Sequence, residues 1–158
     1  MVTSADNPHK INSRFFCCGE GNNIVNKNDI KEAGFRVTRP RVEILKLLET
    51  SEKQHYGAEE IYQELLSQGI KVGIATVYRV LTQFVEAGLV IKHNFEGDQC
   101  VFELDTGEHH DHMVDMKTGK IIEFHDEIIE QRQREIAEEH GFVLMEHSLT
   151  LYGEFKEK

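Results

Sequence analysis

The stretch Gly73-Ile74-Ala75-Thr76-Val77-Tyr78-Arg79-Val80-Leu81-Thr82-Gln83-Phe84-Val85-Glu86-Ala87 decides the fold. Ile74, Val77, Leu81 and Phe84 step by three, four and three residues, the spacing of one buried face on an α-helix. The opposite face presents Ala75, Thr76, Arg79 and Gln83, with Tyr78 on its flank, and Glu86 is the segment's only acid. An outward face free of clustered carboxylates suits the reading of base edges in a DNA groove. It suits docking on a protein partner as well, since such a face is ordinarily solvated.

Working outward, Asn28 caps a short helix that Gly34 ends, and Thr38 caps a second, with Pro40 in its first turn, running to about Glu49. Val42, Leu45 and Leu48 give that helix its apolar face. Ala58 to Leu66 forms a third helix, closed by Gly69. Beyond Gly88, the runs Leu89 to Phe95 and Cys100 to Leu104 read as two strands around a turn at Glu96, Gly97 and Asp98. Helices followed by such a hairpin make a winged helix-turn-helix. Arg36, Arg39 and Arg41 cluster ahead of and into the second helix, placed to neutralise phosphates or enter a minor groove.

The remainder changes character. His109 to Met116 alternates, Thr118 and Gly119 turn the chain, and Lys120 to Phe124 is a second strand. Asp126 to His140 is a helix stopped by Gly141, and Phe142 to Tyr152 a closing strand. The fold class is therefore α+β: an N-terminal winged helix-turn-helix lobe over 27–103, a hinge at 104–108, and a small α/β dimerisation lobe over 109–158. Residues 1–26 lack periodicity and are expected to form a disordered extension.

A chain of 158 residues fits one or two small domains. No run of about 18 apolar residues is present, so no membrane span is expected and the protein is placed in the cytoplasm. Cys17, Cys18 and Cys100 form no CxxC pair. The net charge of -10 argues in bulk against a polyanionic partner. Its distribution weakens that objection. Residues 27–103 hold 10 basic and 12 acidic side chains, whereas 104–158 hold 6 and 14, so the acidity sits mostly outside the DNA-reading lobe.

In Glu108-His109-His110-Asp111-His112 the last four positions pack three imidazoles and a carboxylate. In an extended chain His109 and Asp111 point to one side and His110 and His112 to the other, so one segment supplies ligand pairs to two sites. Further donors must come from elsewhere, with Glu103, Glu123, Glu130, His147 and His55 as candidates. Taken singly these have simpler readings: Glu130 pairs with Arg134 at i,i+4, Glu123 is a solvated strand residue, and His55 is a surface histidine. Nitrogen and oxygen donors without thiolate suit iron(II), manganese(II), cobalt(II) or zinc(II). His-x-Asp-His is also part of the metal motif of metallo-β-lactamase-like hydrolases, but Gly107 stands where that motif needs its first histidine. No other catalytic motif is present, and no enzyme is expected.

Three segments together carry a family resemblance: Gly34-Phe35-Arg36-Val37-Thr38-Arg39-Pro40-Arg41, Gly73-Ile74-Ala75-Thr76-Val77-Tyr78-Arg79, and His109-His110-Asp111-His112 followed by Gly119-Lys120-Ile121-Ile122-Glu123-Phe124. Over about residues 27 to 153 the chain resembles the ferric uptake regulator family of bacterial metal-dependent repressors. The resemblance implies a homodimer that binds an AT-rich double-stranded operator when iron(II) is bound and shuts off iron-acquisition genes. It matches Tyr78 and Arg79 to base-contacting positions and Arg36 to a minor-groove residue, and leaves Thr76 and Arg41 as further DNA contacts from the residue pattern. It implies a sensory metal site of His55, Glu103, His110, His112 and Glu123, and a second site of His109, Asp111, Glu130 and His147. Glutamates at 103 and 123 favour an iron sensor over peroxide-sensing relatives; manganese and zinc responses stay open.

One departure is large. Many members hold a structural zinc on cysteine pairs, but Asp115 and Thr118 occupy the first pair's positions and no cysteine follows Cys100. No cysteine-bound structural zinc is expected. The dimer then rests on the sheet, on the helix face around Ile128, Ile129 and Ile136, and on the second metal site.

Overall fold

The computed structural model describes residues 27–51, 53–96 and 99–156, the side chain of Gln99 excepted. The expected extension over 1–26 and the Gly97 and Asp98 of the hairpin turn lie outside the described residues. The chain divides into two compact units, with the boundary between Gly107 and Glu108.

The first unit contains α1 (Lys27–Glu32), α2 (Arg39–Thr50), α3 (Ala58–Ser67), α4 (Ile74–Glu86), β1 (Val90–Phe95) and β2 (Gln99–Leu104). Thr38 sits in extended backbone as the N-cap of α2, with proline in the first turn. Glu60 folds back on α3, where its Oε2 accepts from the Gly57 amide at 2.8 Å and satisfies a donor that the helix cannot. The core joins Ile44, Leu45 and Leu48 of α2, Ile61 and Leu65 of α3, and Val77, Val80, Leu81 and Phe84 of α4. The buried stripe of α4 differs by one residue from the expected one. Ile74 is 37% exposed, and Val80 takes its place at 3%. Ile74 lies in the first turn, beyond the reach of the packed centre, while Val80 completes the i, i+3, i+4, i+7 set that starts at Val77.

β1 and β2 form an antiparallel hairpin in which Val90 faces Leu104 and His93 faces Val101. An isolated bridge between Tyr56 and Phe102 attaches the segment before α3 to β2. Its two hydrogen bonds, Tyr56 N to Phe102 O at 3.0 Å and Phe102 N to Tyr56 O at 2.8 Å, set residue 55 beside residue 103.

The second unit contains β3 (Asp111–Asp115), β4 (Ile121–Phe124), α5 (Glu127–Glu139) and β5 (Thr150–Gly153). Its three-stranded sheet has the order β4-β3-β5; β3 runs antiparallel to β4 and parallel to β5. Asp126 caps α5, its Oδ1 accepting from the amides of Ile128 and Ile129 at 2.9 and 3.1 Å. The expected strand over Phe142 to Tyr152 is shorter than its apolar pattern suggests. Pairing with β3 begins only at Thr150, opposite His112; one residue earlier the Leu149 amide donates to the Asp111 side chain instead of to the ladder. No helix among the described residues is long and apolar enough to cross a membrane.

Candidate metal centre

Within the first unit, the Tyr56–Phe102 bridge delivers His55 to Glu103. Both are buried, at 5% and 3% exposure, and His55 Nε2 lies 2.7 Å from Glu103 Oε2. A second imidazole approaches the other oxygen: His93 Nε2 donates to Glu103 Oε1 at 2.8 Å. The surface reading of His55 is thereby corrected. The Glu103 carboxylate, removed from water, thus has an imidazole nitrogen close to each of its oxygens. His93 was not anticipated from sequence; the hairpin register that makes it diagonal to Glu103 is the signal that locates it.

Within the second unit, strand alternation separates the histidines as expected, with β3 beginning at Asp111. On one side, His110 and His112 meet edge to face with ring centroids 5.0 Å apart, and Glu123 is the register partner of His112. His110 Nε2 lies 3.7 Å from Glu123 Oε1, and its Nδ1 donates to the Glu108 carbonyl at 3.2 Å. With Nδ1 so engaged, Nε2 is the nitrogen left to face a metal ion. Glu123 is half-buried and faces this pair, so it is no solvated strand residue.

On the other side, His109, Asp111, Glu130 and His147 place one ligand atom each within 4.8 Å of all the others. His109 Nε2 and His147 Nε2 approach Glu130 Oε1 at 3.2 and 3.1 Å, and His109 Nε2 lies 3.5 Å from Asp111 Oδ1. The Leu149 amide donates to Asp111 Oδ1 at 2.9 Å, whereas the buried Asp111 Oδ2 has no hydrogen-bond partner among the described residues. A buried carboxylate with an unpartnered oxygen, on a residue clustered with two imidazoles and a second carboxylate, fits a divalent cation. Burial pushes the Glu130 carboxyl up, but the His147 hydrogen bond and the charges of His147, His109 and His125 outweigh it and hold it below its ordinary value. The expected partner Arg134 comes only to 3.8 Å of Glu130 Oε2, from a largely exposed position.

On α4, Tyr78 and Arg79 are exposed and Thr76 half-buried. The Tyr78 hydroxyl donates to Glu59. That bond, with burial and the Glu59 charge, raises the Tyr78 hydroxyl, and the same bond lowers Glu59. Arg36 is exposed ahead of α2. Arg41 is differently placed. Its Nη1 donates to the Arg36 carbonyl at 2.8 Å, its Nη2 to Gln83 Oε1 at 2.7 Å, and its guanidinium stands 5.0 Å over the Phe35 ring.

Residues 32–152 match the profile of the Ferric uptake regulator family. The chain belongs to the ferric uptake regulator family. It is 54% identical over 129 residues to the ferric uptake regulation protein of Pseudomonas putida, an overlap covering 82% of this chain and 96% of that one. The Vibrio cholerae ferric uptake regulator shares its fold with a TM-score of 0.77 at 52% identity, over 81% of this chain and 98% of that chain. The Pseudomonas aeruginosa ferric uptake regulator, solved with manganese, gives 0.74 at 50% identity over 85% and 100%. As a member of this family the chain is a metal-responsive transcriptional repressor, and not an enzyme.

Proposed function

We propose that this family member is an iron(II)-dependent repressor of iron-acquisition genes that binds an AT-rich operator as a homodimer in the cytoplasm. One observation carries the reading. Each unit holds part of a ligand set built from nitrogen and oxygen donors alone: a buried His55–Glu103 pair in the first, and His110, His112 and Glu123 in the second. Neither part offers the four to six donors that these divalent ions take. Together the five make the regulatory site, with the segment 104–108 between them as its hinge. An ion bound there supplies ligand bonds that favour one arrangement of the two units over the rest, by no more than its differential affinity for them.

The chain's own residues then do the reading. Thr76, Tyr78 and Arg79 of α4 address base edges, Arg36 enters the minor groove, and Arg41 supports the segment that carries Arg36. His109, Asp111, Glu130 and His147 form a second divalent site inside the second unit, taking zinc(II), manganese(II) or iron(II). Dimerisation uses the second unit, where Ile128 is 79% and Ile136 43% exposed on α5, so that an apolar helix face lacks cover within the unit. No cysteine zinc is part of the assembly; Asp115 holds the turn where such a site would lie.

A manganese-responsive regulator is the second reading, favoured by the manganese in the Pseudomonas aeruginosa relative. Titration of operator DNA with the protein in iron(II), manganese(II) or zinc(II), for wild type and His112→Ala, tests both. Tight binding that requires metal and is lost in the variant supports the switch, and the most effective metal at cellular concentration selects between readings. Binding indifferent to metal and to the substitution refutes it.

A further inference from the structure

We propose that His93 is a positioning residue for the regulatory site: its imidazole holds one oxygen of Glu103, so that the carboxylate presents the other to the cation. The inference rests on the reading that His55 and Glu103 belong to that site.

His93 and Glu103 occupy diagonal positions on one face of the β1–β2 hairpin, since His93 faces Val101 and Glu103 faces Ile91. The carboxylate is thereby divided. Oε1 accepts from His93 Nε2 at 2.8 Å, and Oε2 faces His55 Nε2 at 2.7 Å. His93 is itself fixed: its ring stacks on Phe95 with centroids 5.6 Å apart and planes 3° from parallel, and it meets the His55 ring edge-on at 6.0 Å. A carboxylate with one oxygen so engaged cannot rotate freely and binds a cation through the other oxygen alone. Partners of this kind, one bond removed from a metal, set ligand orientation and affinity.

Cobalt(II) is the probe, because its visible absorption reports the ligand set directly. The full-length chain carries His147→Ala to disable the second candidate site, and His55→Ala, His93→Phe and His93→Gln are compared in that background. His93→Phe keeps the stack on Phe95 and removes the donor; His93→Gln keeps a donor. Thermal melting of the metal-free proteins verifies that each is folded.

The expected result is a cobalt(II) affinity about tenfold lower in His93→Phe, with the absorption bands in place and most of the affinity recovered in His93→Gln. His55→Ala lowers the affinity and shifts the bands. Undiminished affinity in His93→Phe beside a weakened His55→Ala overturns the positioning role while leaving the regulatory site intact. Shifted bands in His93→Phe overturn it too, by making His93 a ligand. Should His93→Phe not fold, His93→Gln decides by its bands, which must match those of the parent. If His55→Ala matches the parent in affinity and bands, the regulatory site itself is wrong and this inference falls with it.

Discussion

Arg41 Nη2 donates to Gln83 Oε1 at 2.7 Å, tying the first turn of α2 to the outward face of α4 across 42 residues of sequence. The other terminal nitrogen donates to the Arg36 carbonyl. One guanidinium therefore sets where Arg36 stands relative to the helix that carries Tyr78 and Arg79. Lysine cannot reproduce this, because its single ammonium lacks the planar fork. Arg41→Lys is expected to lose about 1–2 kcal/mol of stability, the scale of a part-buried bond from a charged donor, measured as a shift in denaturant midpoint. Its operator affinity falls while the slope of log affinity against log salt stays at the wild-type value. Arg36→Ala, by contrast, makes that slope shallower by about 0.9 if one phosphate contact is lost.

Asp115 gives a pH-dependent prediction. The amide of Lys117 is the main cause that holds its carboxyl below the ordinary 3.8; burial opposes, and the amides of Thr118 and Phe155 add to the lowering. These bonds, at 2.8, 3.0 and 3.3 Å, knit the β3–β4 turn to the chain beyond β5. A carboxyl lowered on folding contributes stability that is complete above the unfolded value and lost as pH falls through the folded one. Asp115→Asn should accordingly melt below wild type at pH 7, with the gap closing below about pH 4. Thermal unfolding of both proteins from pH 7 to pH 3 checks this; a gap independent of pH would refute the charge-based account.

The legible and illegible parts of the site divide along a physical line. Alternation around Asp111 depends only on extended backbone, so the sorting of His109 with Asp111 and of His110 with His112 was available from sequence. His93 was not, because its partner depends on hairpin register, and the residues that set the turn, Glu96 to Asp98, admit more than one register. Val80 escaped because a strict three-and-four count anchored on Ile74 hides the i+3 member of the stripe. The shortened β5 reflects pairing: Phe142 to Met145 and Leu149 extend the apolar pattern, but the Leu149 amide bonds the Asp111 side chain and the ladder starts at Thr150. Arg41 read as a phosphate contact from its place in a basic cluster; only tertiary structure reveals Gln83 and the Arg36 carbonyl as its acceptors.

The second unit's cluster predicts a stabilising metal. Zinc(II) at about 100 times its dissociation constant should raise unfolding stability by about 2.7 kcal/mol, seen as a higher melting temperature. Asp111→Asn replaces the carboxylate oxygen now lacking a partner with an amide and should abolish most of that rise. The comparison is made in a His112→Ala background, which disables the regulatory site. Zinc(II) stabilisation undiminished by Asp111→Asn would remove Asp111 from the ligand set.

Coupling between metal and DNA is the central claim, and reciprocity tests it most directly. If iron(II) tightens operator binding by a given factor, operator must tighten iron(II) binding by the same factor. The measurement is the iron(II) dissociation constant of the full-length protein, under anaerobic conditions, with and without saturating operator DNA. The account predicts a lower constant in the presence of DNA, by the factor that iron(II) confers on DNA binding, and no such change in His112→Ala. An iron(II) affinity that is the same with and without DNA would contradict it.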